Sequence, residues 1–213
     1  MDDYRADHSQ GPGTPIDGAA GLSALIDDAR ARLIRAAQDR NAAMHAPVVV
    51  TGDGDARIMV LRAADADFAA LRFHTDRRSP KMAVIGADPR LTILAYDPQD
   101  RVQLRLTAQA HIEHHGPVAD AAWADATPLS RRVYLVTAAP GGPLALPGSA
   151  LPEDLRHRRP TPAETEAGRS HFSVILARIT VIDWLRLGSG GGLRARFVRD
   201  HAGNGWQGAW IAP

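Results

Sequence analysis

Apolar residues follow a helical spacing near the start of the chain and a strand spacing after it. From Leu22 to about Asn41, apolar side chains recur at steps of three and four residues, which places them on one stripe of a helix. The segments PVVVT, ARIMVLRA and AALRFHT then alternate apolar and polar residues, and TGDGDAR, between the first two, suits a hairpin turn. The pattern predicts one helix followed by a β-meander.

More strands are predicted on either side of a helical segment. The next pair is RLTILAYD and RVQLRLTAQAHIEH, and the last strands are HFSVILARITVIDWLRL, LRARFVRD and GWQGAWIAP. Between these groups, residues 117–138 are typical of two helices divided at Thr127-Pro128. Six or seven antiparallel strands with only peripheral helices predict a mainly β fold of the small-barrel type.

Two stretches lack the periodicity of a packed element. Residues 1–18 are acidic and interrupted by Gly and Pro, so we expect a disordered N-terminal tail. Residues from about 139 to 170 hold many prolines and glycines and no sustained period, which predicts a flexible insertion acting as a tether or as an active-site lid. The remainder, within 19–213, is expected to form a single domain.

Charge and cysteine content restrict the possible partners. The 25 Lys and Arg against 24 Asp and Glu leave a formal charge of +1, so any anion site must be local, and no nucleic acid or membrane partner is expected. Cysteine is absent, which excludes disulfides and thiolate chemistry. Because the chain has no apolar run of about 20 residues and no secretory signal pattern, we expect a cytoplasmic protein.

Two polar clusters have simpler interpretations than a binding site. For His111, His114 and His115 a solvated strand end is favoured over a metal site, so no metal is expected. The basic patch RHRRP lies in the proline-rich stretch and is balanced by nearby acids, which favours a tether over a nucleic acid contact.

The candidate binding site lies at a predicted strand end, in the stretch FHTDRRSPKM. Thr75, Ser79 and Lys81 belong to this stretch, and Arg57 lies on an earlier strand. Two cations, two hydroxyls and a helix that Ser79 is predicted to cap can converge on a phosphate. The combination predicts an anion site.

Other polar strand residues are expected to have separate roles. Regular alternation places Arg57 and Arg62 on opposite faces of their strand. Gln103 and Arg105 lie on the polar face of a later strand, from which they can reach the edge of a planar ring.

The order of these motifs resembles the pyridoxamine 5′-phosphate oxidase-like family of FMN-binding split barrels. The resemblance spans about Ala24 to Pro213, through RIMVLR, FHTDRRSPK, ADPRLTILAYD, RVQLRLTAQA, DWL with LRARF, and a terminal W-x-x-x-W-x-x-P. It implies a mainly β (α+β) fold, a six-stranded antiparallel split β-barrel with peripheral helices. It further implies a homodimer that binds FMN where the subunits meet and acts as an oxidoreductase on a small molecule. The alternative is a non-catalytic carrier of flavin, deazaflavin or haem on the same barrel.

The resemblance also implies which residues contact cofactor and substrate. The expected FMN-binding residues, with Trp184 and Arg196 supplied by the partner subunit, are Arg57, Val60, Leu61, Arg62, His74, Thr75, Ser79, Lys81, Gln103, Trp184 and Arg196. The vitamin oxidases hold substrate phosphate with a Tyr, Arg and Ser group and a terminal Arg-x-His. This chain retains Tyr134, and its terminal motif offers Arg194 without the histidine. We therefore expect Tyr134 and Arg194 to contact a substrate other than pyridoxamine phosphate, and no particular catalytic acid or base is implied.

Overall fold

The computed structural model describes residues 18–65, 68–188, 191–200 and 205–213, so the expected N-terminal tail lies almost wholly outside the described residues. The helices are α1 (Gly18–Gln38), α2 (Lys81–Ala87), α3 (Pro117–Asp125), α4 (Pro128–Arg131) and α5 (Pro162–Thr165), with 3₁₀ turns at Arg132–Leu135, Glu153–Leu155 and Glu166–His171. The strands are β1 (Val48–Val50), β2 (Ala56–Ile58), β3 (Leu61–Ala64), β4 (Ala70–Asp76), β5 (Arg90–Asp97), β6 (Val102–Glu113), β7 (Phe172–Arg186), β8 (Leu193–Arg199) and β9 (Trp206–Trp210).

All nine described strands join one antiparallel sheet, in the order β2-β1-β5-β6-β7-β4-β3, with β8 and β9 continuing from β7. The 15-residue β7 organises this sheet. One of its edges pairs with β6 along most of its length, whereas the other edge pairs first with β4 and then with β8. The predicted mainly β, antiparallel architecture is confirmed.

The strand count differs from the predicted six, partly because ARIMVLRA divides into β2 and β3. β2 pairs with β1 and β3 pairs with β4, so this run connects the two ends of the strand order. Between them, Met59 and Leu61 still donate backbone hydrogen bonds to the carbonyls of Pro47 and His45. The run therefore acts as the seam that curls the sheet into a half-barrel.

The main core fills this half-barrel and is covered by α1. The predicted apolar stripe of α1 is buried there through Leu25, Ala29 and Leu33, together with interior strand residues such as Phe73 and Leu104. Each fully buried large apolar side chain contributes roughly 1.5–3 kcal/mol. This core holds the strands that carry the candidate site in fixed positions.

A second apolar cluster lies on the outside of β4 and β7. It comprises Ala119, Ala122, Trp123, Tyr134, Phe172 and Val174, and it attaches α3 and the 3₁₀ turn Arg132–Leu135 to β7. In the stretch predicted to be a flexible insertion, the structure has short helices, with Leu155 and Thr165 buried. Among the described residues, no helix is long and apolar enough to cross a membrane.

Candidate functional site

The side chain of Lys81 lies between two hydroxyl groups at the end of β4. Its Nζ donates to Ser79 Oγ at 2.9 Å and to Thr75 Oγ1 at 3.2 Å, and the two hydroxyl oxygens are 3.4 Å apart. Thr75 and Ser79 are buried and Lys81 is half-buried, so these groups are presented at a partly enclosed point. Three hydrogen-bonding groups therefore converge.

Arg57 brings a second positive charge to this point from β2. Its guanidinium donates to Thr51 Oγ1 at 3.0 Å and forms an ion pair with Asp55. Burial, and then the charge of Arg57, lower the pKa of Lys81, which shows that the two cations act on each other. We call Arg57, Thr75, Ser79 and Lys81 the Lys81 cluster.

The donor set of the Lys81 cluster fits a phosphate. Guanidinium, ammonium and hydroxyl groups are the side chains that hold phosphate oxygens most strongly. An anion placed here would relieve the repulsion between the two cations, because Asp55 and Asp76 only partly offset the effects that lower the pKa of Lys81. These residues therefore suit the phosphate end of a flavin mononucleotide.

The turn before α2 differs from its predicted form. Ser79 was expected to cap α2, but the residue at the cap position is Pro80 and no side chain caps the helix. The Ser79 hydroxyl donates instead to the backbone carbonyl of Asp76, at 2.7 Å. The cap prediction is wrong because the hydroxyl closes the turn after β4 instead of the helix end, which leaves its oxygen facing Lys81.

His74 and Arg62 line a different site. A cavity of about 220 Å³ lies against the outer side of β3 and β4, beneath the junction of α3 and α4. We call it the His74 cavity, and its lining includes His45, Leu61, Arg62, Arg72, His74, Asp125, Thr127 and Ser130. Within the described parts of the chain, the guanidinium groups of Arg62 and Arg72 form no hydrogen bond or salt bridge. The cavity therefore carries two guanidinium groups without an ion-pair partner among the described residues, and its lining also includes the carboxylate of Asp125.

The imidazole of His74 is held neutral inside this cavity. Burial, followed by the charges of Arg62 and Arg72, lowers the pKa of His74 to about 3. Its Nε2 is buried and has no hydrogen-bond partner in the described structure, while the ring packs edge-on against Phe172 at 4.9 Å. At neutral pH His74 is an uncharged group, available for hydrogen bonding.

The remaining residues of the predicted flavin set are spread over the sheet. Leu61 is in the core and Val60 is half-buried. Trp184 is also buried and donates its indole N–H to Asp28 of α1 at 2.8 Å, whereas Arg196 is exposed on β8. Gln103 pairs with Leu185 near the far end of β7 from the Lys81 cluster. One chain therefore does not gather the whole predicted set.

The two predicted substrate contacts are also far apart within one chain. Tyr134 is buried beside Phe172, at the beginning of β7, and burial raises its pKa to about 12. Arg194 pairs with Leu185 near the end of β7 and donates to both carboxylate oxygens of Asp183, at 2.9 and 2.7 Å. Within one chain these two side chains cannot hold the same small molecule.

Several residues near the site were missed by sequence reasoning. Thr51 accepts from Arg57, Asp76 and Arg78 pair beside Ser79, and Arg72 lines the His74 cavity. The spacing of Asp76 and Arg78 was a usable signal, because a side chain two residues after an aspartate can fold back onto it. Thr51 and Arg72 carried no signal beyond their place on predicted strands.

The described ranges contain no cluster of side chains that suggests a metal site. No group of three or more His, Asp or Glu residues gathers there in a way that could hold a metal ion. His114, one of the three histidines considered above, has its Nδ1 2.5 Å from the hydroxyl of Ser173.

Comparison with known proteins identifies the fold. No family model matches the chain, and no curated protein matches it. A pyridoxamine 5′-phosphate oxidase-related, FMN-binding protein from Nostoc punctiforme PCC 73102 has a similar structure, with a TM-score of 0.67 and 22% identity, covering 87% of this chain and 96% of that one. PhzG from Burkholderia lata 383, solved with tetrahydrophenazine-1-carboxylic acid, has a TM-score of 0.61 and 16% identity, covering 88% of this chain and 92% of that one. The chain therefore has the fold of the pyridoxamine 5′-phosphate oxidase-like proteins, as its sequence motifs predicted.

Proposed function

We propose that this protein binds FMN and works as a flavin-dependent oxidoreductase on a substrate other than pyridoxamine phosphate. The observation that carries the proposal is the Lys81 cluster, in which Lys81 Nζ lies 2.9 Å from Ser79 Oγ and is acted on by the charge of Arg57. A phosphate group is the ligand that such a set of donors favours.

FMN is proposed over other phosphate compounds because of the fold. A protein of similar structure is described as FMN-binding, and the Lys81 cluster lies on the motifs that carry the sequence resemblance. When bound, FMN supplies hydride or electron-pair transfer, and the protein controls its position and surroundings. In this proposal Lys81, Ser79, Thr75 and Arg57 hold the phosphate.

A homodimer is part of the proposal. The outer face of the sheet carries an uncovered apolar row. Val48 pairs with Ile58 on one side and with Leu94 on the other, and the side chains of Ile58 and Leu94 are 70% and 37% exposed. A second copy lying on this face would bury that row. It would also be the source of Arg196 and Arg194, which lie away from the Lys81 cluster of their own chain.

Spectroscopy of the purified protein tests the proposal. We expect yellow protein, or uptake of one FMN per chain on addition, with the absorbance of bound flavin and a dimer by size-exclusion chromatography with light scattering. Colourless protein that gains no flavin absorbance with excess FMN would reject FMN binding.

Turnover tests the oxidoreductase part separately. Flavin-loaded protein should be reduced by NADH or NADPH and should complete multiple turnovers with an acceptor. If flavin binds but no donor reduces it, the protein is instead a carrier.

A further inference from the structure

A buried ion pair lies directly beside the Lys81 cluster. Neither of its residues belongs to the predicted set of cofactor-binding residues. The carboxylate of Asp76, at the end of β4, accepts from Arg78 Nε at 3.1 Å and from Arg78 Nη2 at 2.7 Å. It also accepts from the backbone N–H of Arg78 at 2.8 Å. The side chain of Asp76 is only 7% exposed, so this pair is shielded from solvent and salt.

This pair closes the turn that presents Ser79 and Lys81. While the Asp76 side chain holds Arg78, the Asp76 carbonyl accepts from the Ser79 backbone N–H at 3.1 Å and from the Ser79 hydroxyl at 2.7 Å. Both bonds fix the position of Ser79 Oγ, which is one of the two acceptors for Lys81 Nζ. The position of Ser79 Oγ therefore depends on the backbone of the turn at Asp76, and the carboxylate of the same residue ties that turn to Arg78.

Arg78 also connects the turn to the chain that follows α4. Its Nη2 donates to the carbonyl of Val136 at 3.0 Å. A few residues later, the chain passes close to the start of α2, where a Cβ built on Gly141 would lie 3.5 Å from Pro80 Cγ. Arg78 therefore links the phosphate side of the site to residues 136–141.

We propose that Asp76 and Arg78 are positioning residues, which hold the turn of residues 76–81 in the shape that binds phosphate and attach residues 136–141 to it. The inference rests on the proposed function only for the identity of the ligand. The physical reason is preorganisation: donors that are already ordered lose less conformational freedom when the ligand binds.

The chain contains a matched control for this pair. Asp88 and Arg90 have the same spacing and nearly the same bonds, with Arg90 Nε to Asp88 Oδ1 at 2.9 Å and Nη2 to Oδ2 at 2.7 Å. The side chain of Arg90 is 71% exposed, against 23% for Arg78. The same substitution in each pair therefore shows whether an effect comes from the place of the pair beside the Lys81 cluster or from breaking any Asp-x-Arg ion pair.

The main experiment compares Arg78→Lys with Arg90→Lys, using FMN and riboflavin as ligands. Lysine keeps the charge but cannot reproduce a two-pronged bond to a carboxylate together with a bond to a carbonyl. We expect Arg78→Lys to weaken FMN binding by about tenfold, the loss expected for one charged hydrogen bond. Riboflavin lacks the phosphate, so its affinity should change less than twofold. Arg90→Lys should change neither affinity.

Two results of this comparison would overturn the inference. The first is FMN affinity in Arg78→Lys within twofold of the wild type. The second is an equal loss of FMN and riboflavin affinity, which would indicate a general structural role. If Arg78→Lys does not fold, Asp76→Asn compared with Asp88→Asn carries the same test, because asparagine has the same shape without the charge.

A second probe separates this inference from the proposed function. Inorganic pyrophosphate should raise the melting temperature of the wild type and of Arg90→Lys more than that of Arg78→Lys. If the wild type binds no FMN but shows this pattern, the function is wrong and the positioning role stands. If pyrophosphate acts equally on all three proteins, or on none of them, the positioning role is wrong.

Discussion

His74 and Thr75 are consecutive in the chain, yet their side chains lie on opposite faces of β4. Thr75 belongs to the Lys81 cluster, and its strand partner is the buried Ser173. His74 lines the cavity on the outer side of the sheet and packs against Phe172. Strand alternation therefore divides the FHTDRRSPKM stretch between the Lys81 cluster and the separate His74 cavity.

Removing either cation of the Lys81 cluster should weaken FMN binding. Lys81→Ala and Arg57→Ala are each expected to cost about 1.5–3 kcal/mol, the range for losing a hydrogen bond to a charged group. Isothermal titration calorimetry with FMN measures the effect, and Arg90→Ala is a surface control of similar charge. Unchanged affinity in both variants would contradict the phosphate assignment.

FMN binding should weaken at alkaline pH. Burial and the charge of Arg57 lower the pKa of Lys81, so its positive charge is lost at a lower pH than in a free lysine. Because the phosphate needs this charge, the affinity for FMN should fall as the pH rises through that lowered pKa. Above this pKa, binding of FMN should be accompanied by uptake of a proton. Titration of Kd against pH shows this, and Lys81→Arg should remove most of the alkaline fall if Lys81 is responsible.

His74 should make the protein sensitive to acid. Its pKa falls from 6.5 in the unfolded chain to about 3 in the folded one, so the unfolded state binds the extra proton between these values. Its contribution to stability is complete above pH 6.5 and is lost as the pH falls towards 3, by at most about 5 kcal/mol. Denaturant unfolding of wild type and His74→Gln at pH 7 and pH 4 measures the difference. If His74→Gln loses as much stability between pH 7 and pH 4 as the wild type does, His74 is not the source of the acid sensitivity.

Deleting residues 144–162 should leave FMN affinity within a few-fold of the wild type. None of the Lys81 cluster lies in this stretch. The structure adds one expectation: Leu155 is buried and the carbonyl of Leu155 accepts from Arg132, so the deletion should lower the melting temperature. Parallel measurement of Kd and Tm tests both statements. Loss of the cofactor would mean that the segment closes over the site.

Gly208→Ala should destabilise the C-terminal strand pair. Gly208 lies opposite Phe197, and a Cβ at this position would come within 2.7 Å of the buried Phe197 ring. We expect a loss of about 1–3 kcal/mol, which is typical of overpacking. The neighbouring exposed Gln207 gives the control Gln207→Ala. Thermal unfolding within 1 °C of the wild type would show that the ring moves aside.

The sequence was sufficient to predict the helix α1, the antiparallel sheet and the residues of the Lys81 cluster. The helix and the strands follow from periodicity, which is a local property, whereas the residues of the Lys81 cluster follow from the order of motifs along the chain. It could not predict that Trp184 turns into the core to donate to Asp28, because that contact joins residues far apart in sequence. The Asp76–Arg78 pair has a local signal in its spacing, but the bond from Arg78 to the carbonyl of Val136 again joins residues far apart in sequence and could not be predicted.

The central position of β7 has a consequence for how the protein is made. Asp76 pairs with Phe172, and about a hundred residues separate them, so β4 and β6 emerge from the ribosome well before the strand that joins them. Until β7 is synthesised, both strands expose unpaired edges, which can pair with the strands of other chains. We therefore expect nascent chains ending before residue 172 to be aggregation-prone.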